Sequence, residues 1–333
     1  MMKKSLIALA VLAAAPAAFA ATSNVDVGGQ IRISADKANN GGKLTLADRA
    51  SRLNITGSED LGGGLKAFYH AEWNIDAADG VEDSNGSAAF TTRQTYVGIQ
   101  GAFGKVLAGK AYAPYKLIGS ASVFEDTAAD SQGDIVGSGH DAAYSQAIAY
   151  ISPDFANTHI AVAYTNAGTA SVAATDSVSA IIAYANGPLK VSYGYESQGD
   201  KTLGGAATTT DKGSVAQKLN LGYKMGDIGM GYTYEKINRG TAFAIASGAT
   251  DTSTADQKNQ IVSLTYGMGP VTLAAQYGVR DIEATDTMDI KRTTVGAIYA
   301  LSKRTNMALA FSSSKTDNTT TTDTTTVQLN HSF

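Results

Sequence analysis

Carboxylates are concentrated between residues 112 and 142, where the chain has its most obvious chemical potential. Lys116 is the only Lys or Arg in this stretch, whereas its acidic residues include Glu125, Asp126, Asp130 and Asp134. Clustered carboxylates attract hard cations, although the spacing here specifies no metal site. A solvated acidic surface loop is the other interpretation of such a cluster.

No pattern typical of an enzyme accompanies these acids. None of the four histidines belongs to a metal-binding or nucleophile motif. Gly62, Gly63 and Gly64 are typical of a tight turn rather than of a phosphate-binding loop. The chain has no cysteine, so disulfide bonds are excluded. We therefore expect neither an enzyme nor a bound cofactor or metal ion.

The first twenty residues are typical of a secretory signal peptide. Lys3 and Lys4 precede the apolar stretch 6–15, and Ala18-Phe19-Ala20 forms a small-x-small cleavage site. A membrane anchor is the alternative, but a spanning helix needs about 20 apolar residues and this stretch is shorter. We expect residues 1–20 to be removed and residues 21–333 to form one domain. The mild excess of acidic residues argues against a nucleic-acid partner.

Alternation of apolar and polar residues, which predicts β-strands, recurs along the rest of the chain. We identify sixteen alternating segments, at 24–35, 50–60, 64–76, 90–101, 104–111, 143–152, 158–166, 178–186, 188–197, 215–225, 227–237, 258–268, 270–279, 290–301, 304–314 and 324–333. Short turns alternate with long polar connections, as in a barrel with turns at one rim and loops at the other. The even number of strands places both chain ends on the same, periplasmic side.

The composition of the two strand faces predicts which side meets lipid. In segment 258–268, Val262, Leu264 and Tyr266 alternate with Ser263 and Thr265. Tyr ends several such apolar rows, as expected where rings lie at a membrane interface. A soluble β-sandwich, the alternative, would bury its apolar faces. Since no segment after the first twenty residues resembles a spanning helix, only a closed barrel could enter a membrane, and sixteen strands enclose an aqueous channel.

Five stretches resemble the trimeric general-diffusion porins of Gram-negative bacteria. They are 51–62 (SRLNITGSEDLG), 64–69 (GLKAFY), 93–99 (RQTYVGI), 109–114 (GKAYAP) and 299–305 (YALSKRT). The resemblance implies a homotrimer of sixteen-stranded antiparallel transmembrane β-barrels in the cell outer membrane, in contact with outer-membrane lipid and lipopolysaccharide. It also implies long outer loops, a third loop folded into the lumen, and a terminal Phe333 that signals to the barrel-assembly machinery.

The resemblance also implies roles for charged residues. The acidic stretch 112–142 corresponds to the third loop, which together with a basic wall on the barrel forms a charged constriction. The residues of this wall are expected to be Arg52, Arg93, Lys110, Lys66 and Arg32. Arg52 and Arg93 match two family positions and share the parity of inward-facing neighbours, whereas Lys110 stands where the family usually has Arg.

The expected basic wall departs from the family in several places. For Arg32 and Lys66, which have inward parity only, an ordinary solvated charge is an equal alternative. Gln30 stands where some members have a basic residue, and Ile151 stands where others have Arg. The ion preference is therefore left open by the sequence.

The function implied is a passive channel for small hydrophilic solutes and ions. A substrate-selective porin with a saturable site for a sugar or an organic anion is the alternative. It would need an aromatic track along the lumen, whereas most Tyr residues have lipid-facing parity. A recognition scaffold built on the Thr-rich loop 317–323 is a third, weaker option.

Overall fold

The computed structural model describes residues 23–39, 42–78, 90–137, 139–166, 176–199, 201–202, 210–211, 213–239, 255–283, 289–317, 319 and 321–333. The predicted signal peptide, residues 1–20, lies outside this part of the chain. Among the residues described, no helix is both long enough and apolar enough to cross a membrane.

The described residues form sixteen long strands in one sheet. In chain order they are β1 Ser23–Ala38, β2 Arg52–Gly62, β3 Leu65–Ile75, β4 Phe90–Gly101, β5 Gly104–Tyr112, β6 Ala143–Ile151, β7 Thr158–Asn166, β8 Asp176–Asn186, β9 Leu189–Gln198, β10 Ser214–Met225, β11 Ile228–Asn238, β12 Gln257–Met268, β13 Val271–Ile282, β14 Ile290–Ala300, β15 Thr305–Thr316 and β16 Thr322–Ser332. Three short strands, Thr45–Asp48, Lys201–Thr202 and Thr210–Asp211, lie in the connections, and a helix of four residues, α1 Pro114–Leu117, follows β5.

Each long strand pairs with its neighbours along the chain in antiparallel orientation. A final pairing joins β1 to β16, with Gln30 opposite Ser332 and Ala38 opposite Thr324, and closes the sheet into a barrel. All sixteen predicted segments overlap with observed strands. The predicted antiparallel barrel of sixteen strands is therefore confirmed.

The two faces of the barrel wall differ in composition as the alternation predicts. On β12, Val262 and Leu264 are exposed, whereas Asn259 and Ser263 are buried. We call the face with the exposed large apolar residues the apolar face, and the opposite one the polar face. An exposed apolar band around a closed barrel is the surface that meets lipid.

Phe333 extends the pairing of β1 with β16 by one residue. Its N–H donates to the Gly29 carbonyl at 3.1 Å, and its own carbonyl accepts from the Gly29 N–H at 3.2 Å. The ring lies over Gly29, where an added Cβ would come within 2.7 Å of the ring atom Cζ. Phe333 thus completes the seam of the barrel, while its role as an assembly signal stays a prediction.

Candidate functional site

Residues 113–142, which we call segment 113–142, connect β5 to β6 and contact the barrel wall repeatedly. The Ala113 N–H donates to the Ala142 carbonyl at 3.1 Å and holds the two ends of the segment together. Along the first half, three backbone N–H groups donate to wall side chains at 2.7–2.8 Å. These pairs are Tyr115 with Ser179 of β8, Ala121 with Thr233 of β11, and Val123 with Gln276 of β13.

The tip of the segment reaches the seam between β16 and β1. The Asp126 carboxylate forms an ion pair with the Arg32 guanidinium of β1. The Asp126 carbonyl accepts a hydrogen bond from Gln328 Nε2 of β16 at 2.8 Å. Asp126 has a positive φ of 55°, and its N–H donates to the Asp130 carboxylate at 2.8 Å, which stabilises this tight bend.

The second half of the segment returns along the same wall. Asp134 forms an ion pair with Arg292 of β14 at 2.6 Å. Further along, His140 Nδ1 lies 3.1 Å from Glu196 of β9, and Asp141 lies 3.2 Å from the Lys218 ammonium of β10. All these wall side chains belong to the polar face. The segment therefore lies against the polar face from β8 round to β1.

Glu235 of β11 is fully buried and holds two parts of the segment at once. Its carboxylate accepts from the Tyr115 hydroxyl at 2.6 Å, from the Gly137 N–H at 2.8 Å and from Asn259 Nδ2 at 3.0 Å. Burial and the nearby carboxylate raise the pKa of the Tyr115 phenol well above its ordinary value. Lys218 is also fully buried, and its ammonium lies 4.3 Å from the centre of the Tyr115 ring.

Glu235, Glu196 and Lys218 belong to no motif that sequence patterns identify. A usable signal exists, since each is a charged residue at polar-face parity in the interior of a strand. Burying a charge is costly unless a partner and hydrogen bonds satisfy it. Such positions therefore indicate a second element packed on the polar face, although they do not identify it.

Two of the four predicted acidic residues serve mainly to hold segment 113–142. The Asp130 carboxylate accepts from the Ser122 hydroxyl at 2.6 Å and from the Gln132 N–H at 2.8 Å, in addition to the Asp126 N–H. Asp134 is engaged by Arg292. Glu125 differs, because its side chain is exposed and forms no hydrogen bond or ion pair with the described residues.

The arginines of β2 and β4 meet around a buried acid, Glu72 of β3. Arg93 Nε lies 3.0 Å from the Glu72 carboxylate, and its guanidinium also donates to Asn74 Oδ1 at 2.6 Å. Arg52 donates to Gln30 Oε1 at 3.1 Å and lies 3.7 Å from Glu72. The structure thus brings Arg52 and Arg93 together on the polar face, around Glu72, an acid that no sequence pattern indicated.

Arg93 reaches the polar face by a route that simple alternation does not give. Arg93 lies an even number of positions from Val97 and Ile99, whose side chains are exposed on the apolar face. Regular alternation would therefore place Arg93 on the apolar face as well. The pairing of β3 with β4 shifts between Glu72 and Trp73, so that Arg93 has no directly opposite partner. A β-bulge of this kind redirects a side chain. The expectation that Arg93 has inward parity is therefore corrected, although its side chain does point to the polar face.

Lys110 and Lys66 lie apart from the arginines. Lys110 pairs with Thr95, shares the parity of exposed Val106, and donates from Nζ to the Thr92 carbonyl at 2.6 Å. Since opposite residues in a sheet project to the same side, Lys110 belongs to the apolar face, and the expectation that it joins the basic wall is corrected. Lys66 has polar-face parity but lies six positions from Glu72 along β3, about 20 Å at the usual rise of a strand.

A further cation, Lys116 of α1, lies beside the arginines. Its ammonium donates to the Asp141 carbonyl at 3.0 Å and lies 4.8 Å from the centre of the Tyr112 ring. The Arg93 guanidinium lies 5.8 Å from the same ring centre. Two acids of the segment lie near these cations: Asp126 is paired with Arg32, and Glu125 is within electrostatic range of Arg32 and Arg52. Separated acidic and basic groups of this kind produce a local electric field.

Comparison with known proteins identifies relatives over nearly the whole chain. The Gram-negative porin family matches residues 8–319. Outer membrane porin protein 32 of Delftia acidovorans is 31% identical over 91% of this chain and 87% of its own length. Major outer membrane protein P.IB of Neisseria meningitidis serogroup A is 29% identical over 92% of this chain and 91% of its own.

Solved structures share the same fold. The anion-selective porin from Comamonas acidovorans superposes with a TM-score of 0.74 at 21% identity, covering 93% of this chain and 100% of that one. OmpT of Vibrio cholerae, in its trimer form, superposes with a TM-score of 0.70 at 15% identity, covering 93% and 99%.

Proposed function

This chain belongs to the Gram-negative porin family, and from that premise we propose a passive pore for small hydrophilic solutes and ions whose narrowest part is a charged constriction. Family membership makes the protein an outer-membrane channel and not an enzyme. We place the constriction between segment 113–142 and the arginines of β1, β2 and β4. No energy source is required, because solutes follow their own gradients.

The run of contacts between segment 113–142 and the polar face is the observation that carries this proposal. The polar face of a porin barrel surrounds the lumen, so a segment bound to it narrows the path. The segment uses β8 to β16 for its contacts, and its tip ends at Arg32. The remaining opening then lies beside Arg52 and Arg93, with Glu125 on the opposite side.

We further propose a mild preference for anions. Arg32, Arg52, Arg93 and Lys116 supply four positive charges at the constriction. Among the nearby carboxylates, Glu72 and Asp126 are paired with arginines, Asp130 is hydrogen-bonded within the segment and Asp141 is paired with Lys218, so that Glu125 is the acid without a described partner. Rings of charge set which ion is favoured in a pore. The solved structure from Comamonas acidovorans, which shares the fold, is described as anion-selective.

A planar lipid bilayer tests the channel directly. We expect stepwise conductance increases after addition of purified protein, with a current that rises linearly with salt concentration and is not blocked by sugars. Absence of steps would contradict the channel itself. A current that saturates, or that sugars block, would instead favour the alternative of a substrate-selective porin with a saturable solute site.

The proposed assembly is a homotrimer in contact with outer-membrane lipid and lipopolysaccharide. The support is the shared fold with the trimer form of Vibrio cholerae OmpT and the exposed apolar face of the barrel. We also propose that the barrel-assembly machinery recognises Phe333, which completes the seam between β1 and β16.

Acidification is expected to strengthen the anion preference. Partial removal of the Glu125 carboxyl group from water, together with repulsion by Asp130 and Asp126, raises its pKa above the ordinary value of 4.5, although part of the side chain remains exposed. Lowering the pH from neutral therefore protonates Glu125 before ordinary glutamates, and the constriction loses a negative charge. The reversal potential in a salt gradient should shift towards anions while the pH is still above 4.5.

Glu125→Gln provides the control for this pH dependence. The variant should show the anion-shifted potential already at neutral pH and should lack the early step on acidification. An identical titration in the parent and in Glu125→Gln would place Glu125 outside the ion path.

A further inference from the structure

We propose that the lumen holds a binding site for small organic anions that carry an apolar tail. The site lies between segment 113–142 and the rim of the barrel that carries the short turns. The inference rests on the proposed function, because it concerns solutes inside the pore. It differs from the charged constriction, since none of the residues Arg32, Arg52, Arg93 or Glu125 lines this site.

The site is a cavity of about 1090 Å³ between the first part of segment 113–142 and the wall formed by β7 to β12. Pockets for small organic ligands are of this size. Its lining continues to the turn ends of these strands, where Lys190 and Lys224 lie. A solute entering from the turn side would therefore meet this cavity before the constriction.

Apolar side chains form the upper surface of the cavity. Leu117 of α1 lines the cavity, and its side chain is 56% exposed. Ile118 and Val123 line the cavity from the same segment, and Ile181 lines it from β8. A water-filled lumen needs no such surface, and an exposed apolar patch in a concave place indicates a binding site.

Two lysines give the opposite surface a positive charge. Lys190 of β9 pairs with Gly222 of β10, which makes Lys224 its diagonal neighbour, with the two Cα atoms about 7–8 Å apart. Neither ammonium forms an ion pair or a side-chain hydrogen bond with any residue that the structure describes. Long lysine side chains that start from diagonal positions reach a common anion between them, and this anion offsets the repulsion between the two ammonium groups.

The remaining charged groups of the lining do not neutralise these lysines. Asp154 is the one acid among the lining residues, and its carboxylate lies 3.6 Å from His159 Nδ1. The Asn220 amide is engaged with the Ile118 carbonyl at 3.0 Å. A carboxylate at Lys190 and Lys224 with a hydrocarbon tail towards Leu117 matches both surfaces of the cavity. Sugars lack the charge, and inorganic anions lack the tail.

Block of the chloride current by a homologous series of carboxylates tests the proposal. Acetate, butyrate and hexanoate are added to channels in a planar bilayer. We expect saturable block that strengthens about fourfold for each added methylene that becomes buried. Hexanol and hexylamine are the controls for the tail alone and for the opposite charge, and both should block far more weakly.

Variants separate the two surfaces of the site. Lys190→Gln with Lys224→Gln should weaken hexanoate block about tenfold, because two attractive charges are lost. Leu117→Ser should remove the dependence on chain length and leave acetate unaffected. Lys303→Gln, an exposed lysine in the turn between β14 and β15, should behave as the parent. Since all these positions are exposed, unblocked conductance confirms that each variant has folded.

Failure of this proposal is distinguishable from failure of the proposed function. If no conductance steps appear, the channel itself is contradicted. If steps appear but acetate and hexanoate block equally, or hexylamine blocks as well as hexanoate, the amphiphilic anion site is overturned and the channel stands. Block that is unchanged in the double lysine variant also overturns the site.

Discussion

Glu235→Gln is expected to turn a quiet channel into one that flickers between conductance levels. Both oxygens of the Glu235 carboxylate accept hydrogen bonds, from Tyr115, Gly137 and Asn259. Glutamine has the same shape but replaces one oxygen by an NH₂ group. This NH₂ group then faces donors such as the Asn259 amide, so that two hydrogen-bond donors oppose each other. A buried donor left unpaired costs about 1–3 kcal/mol. Detachment of segment 113–142 from the wall should become roughly 5- to 150-fold more frequent.

The matched control removes the same charge without touching the segment. Glu283 is an exposed carboxylate beyond the end of β13, paired with Lys258 at 2.5 Å, and Glu283→Gln should leave the recordings unchanged. A rescue is also available. Adding Asn259→Asp to Glu235→Gln restores an acceptor opposite the new NH₂ group and should quieten the channel again. A Glu235→Gln channel as quiet as the parent would show that Glu235 does not hold the segment.

The barrel itself could be predicted because the signal for each strand is local. In β12 the alternation of Val262, Leu264 and Tyr266 with small polar residues fixes both the strand and the face that meets lipid. The same pattern repeats in each strand, so errors in one segment do not affect the others. Strand ends were less accurate, since β1 extends to Ala38, beyond the alternation that ends near residue 35.

The contacts of segment 113–142 could not be predicted because they join residues far apart in the chain. Arg32 and Asp126 are separated by 94 positions, and Tyr115 and Glu235 by 120. No periodicity links such pairs. The acidic character of the segment indicated a charged partner, but which acids would remain free depended on its path. The Asp130 carboxylate accepts hydrogen bonds from other residues of the segment, whereas the Glu125 side chain is exposed.

Two expectations about the basic wall are corrected, for different physical reasons. A shift in the pairing of β3 with β4 turns Arg93 to the polar face, and alternation cannot anticipate it. Lys110 lies beside another shift, between Gly109 and Ala111 in the pairing of β5 with β6. Matching to the family pattern placed Lys110 in the pore, but its cross-strand partner Thr95 places it on the apolar face. Bulges cluster near functional sites, so parity is least reliable where it matters most.

Neutralising Arg52 and Arg93 together is expected to convert the mild anion preference into a cation preference. A unit charge about 6 Å from an ion contributes about 0.7 kcal/mol in water, and salt reduces this further. Because the effect has opposite signs for cations and anions, loss of two charges should change the permeability ratio by about tenfold. Removing both guanidinium groups also leaves the Glu72 carboxylate unpaired, which adds to the attraction for cations. The reversal potential of the double Gln variant in a salt gradient measures the change.

Two further variants make this result specific to the constriction. Lys303→Gln with Arg304→Gln removes the same charge from exposed positions in the turn between β14 and β15, and should leave the reversal potential unchanged. Adding Glu72→Gln to the double arginine variant removes the unpaired carboxylate and should move the potential part of the way back towards anions. If the arginine variant and the turn variant shift the potential equally, the arginines act only through net charge. The constriction would then lie elsewhere in the pore.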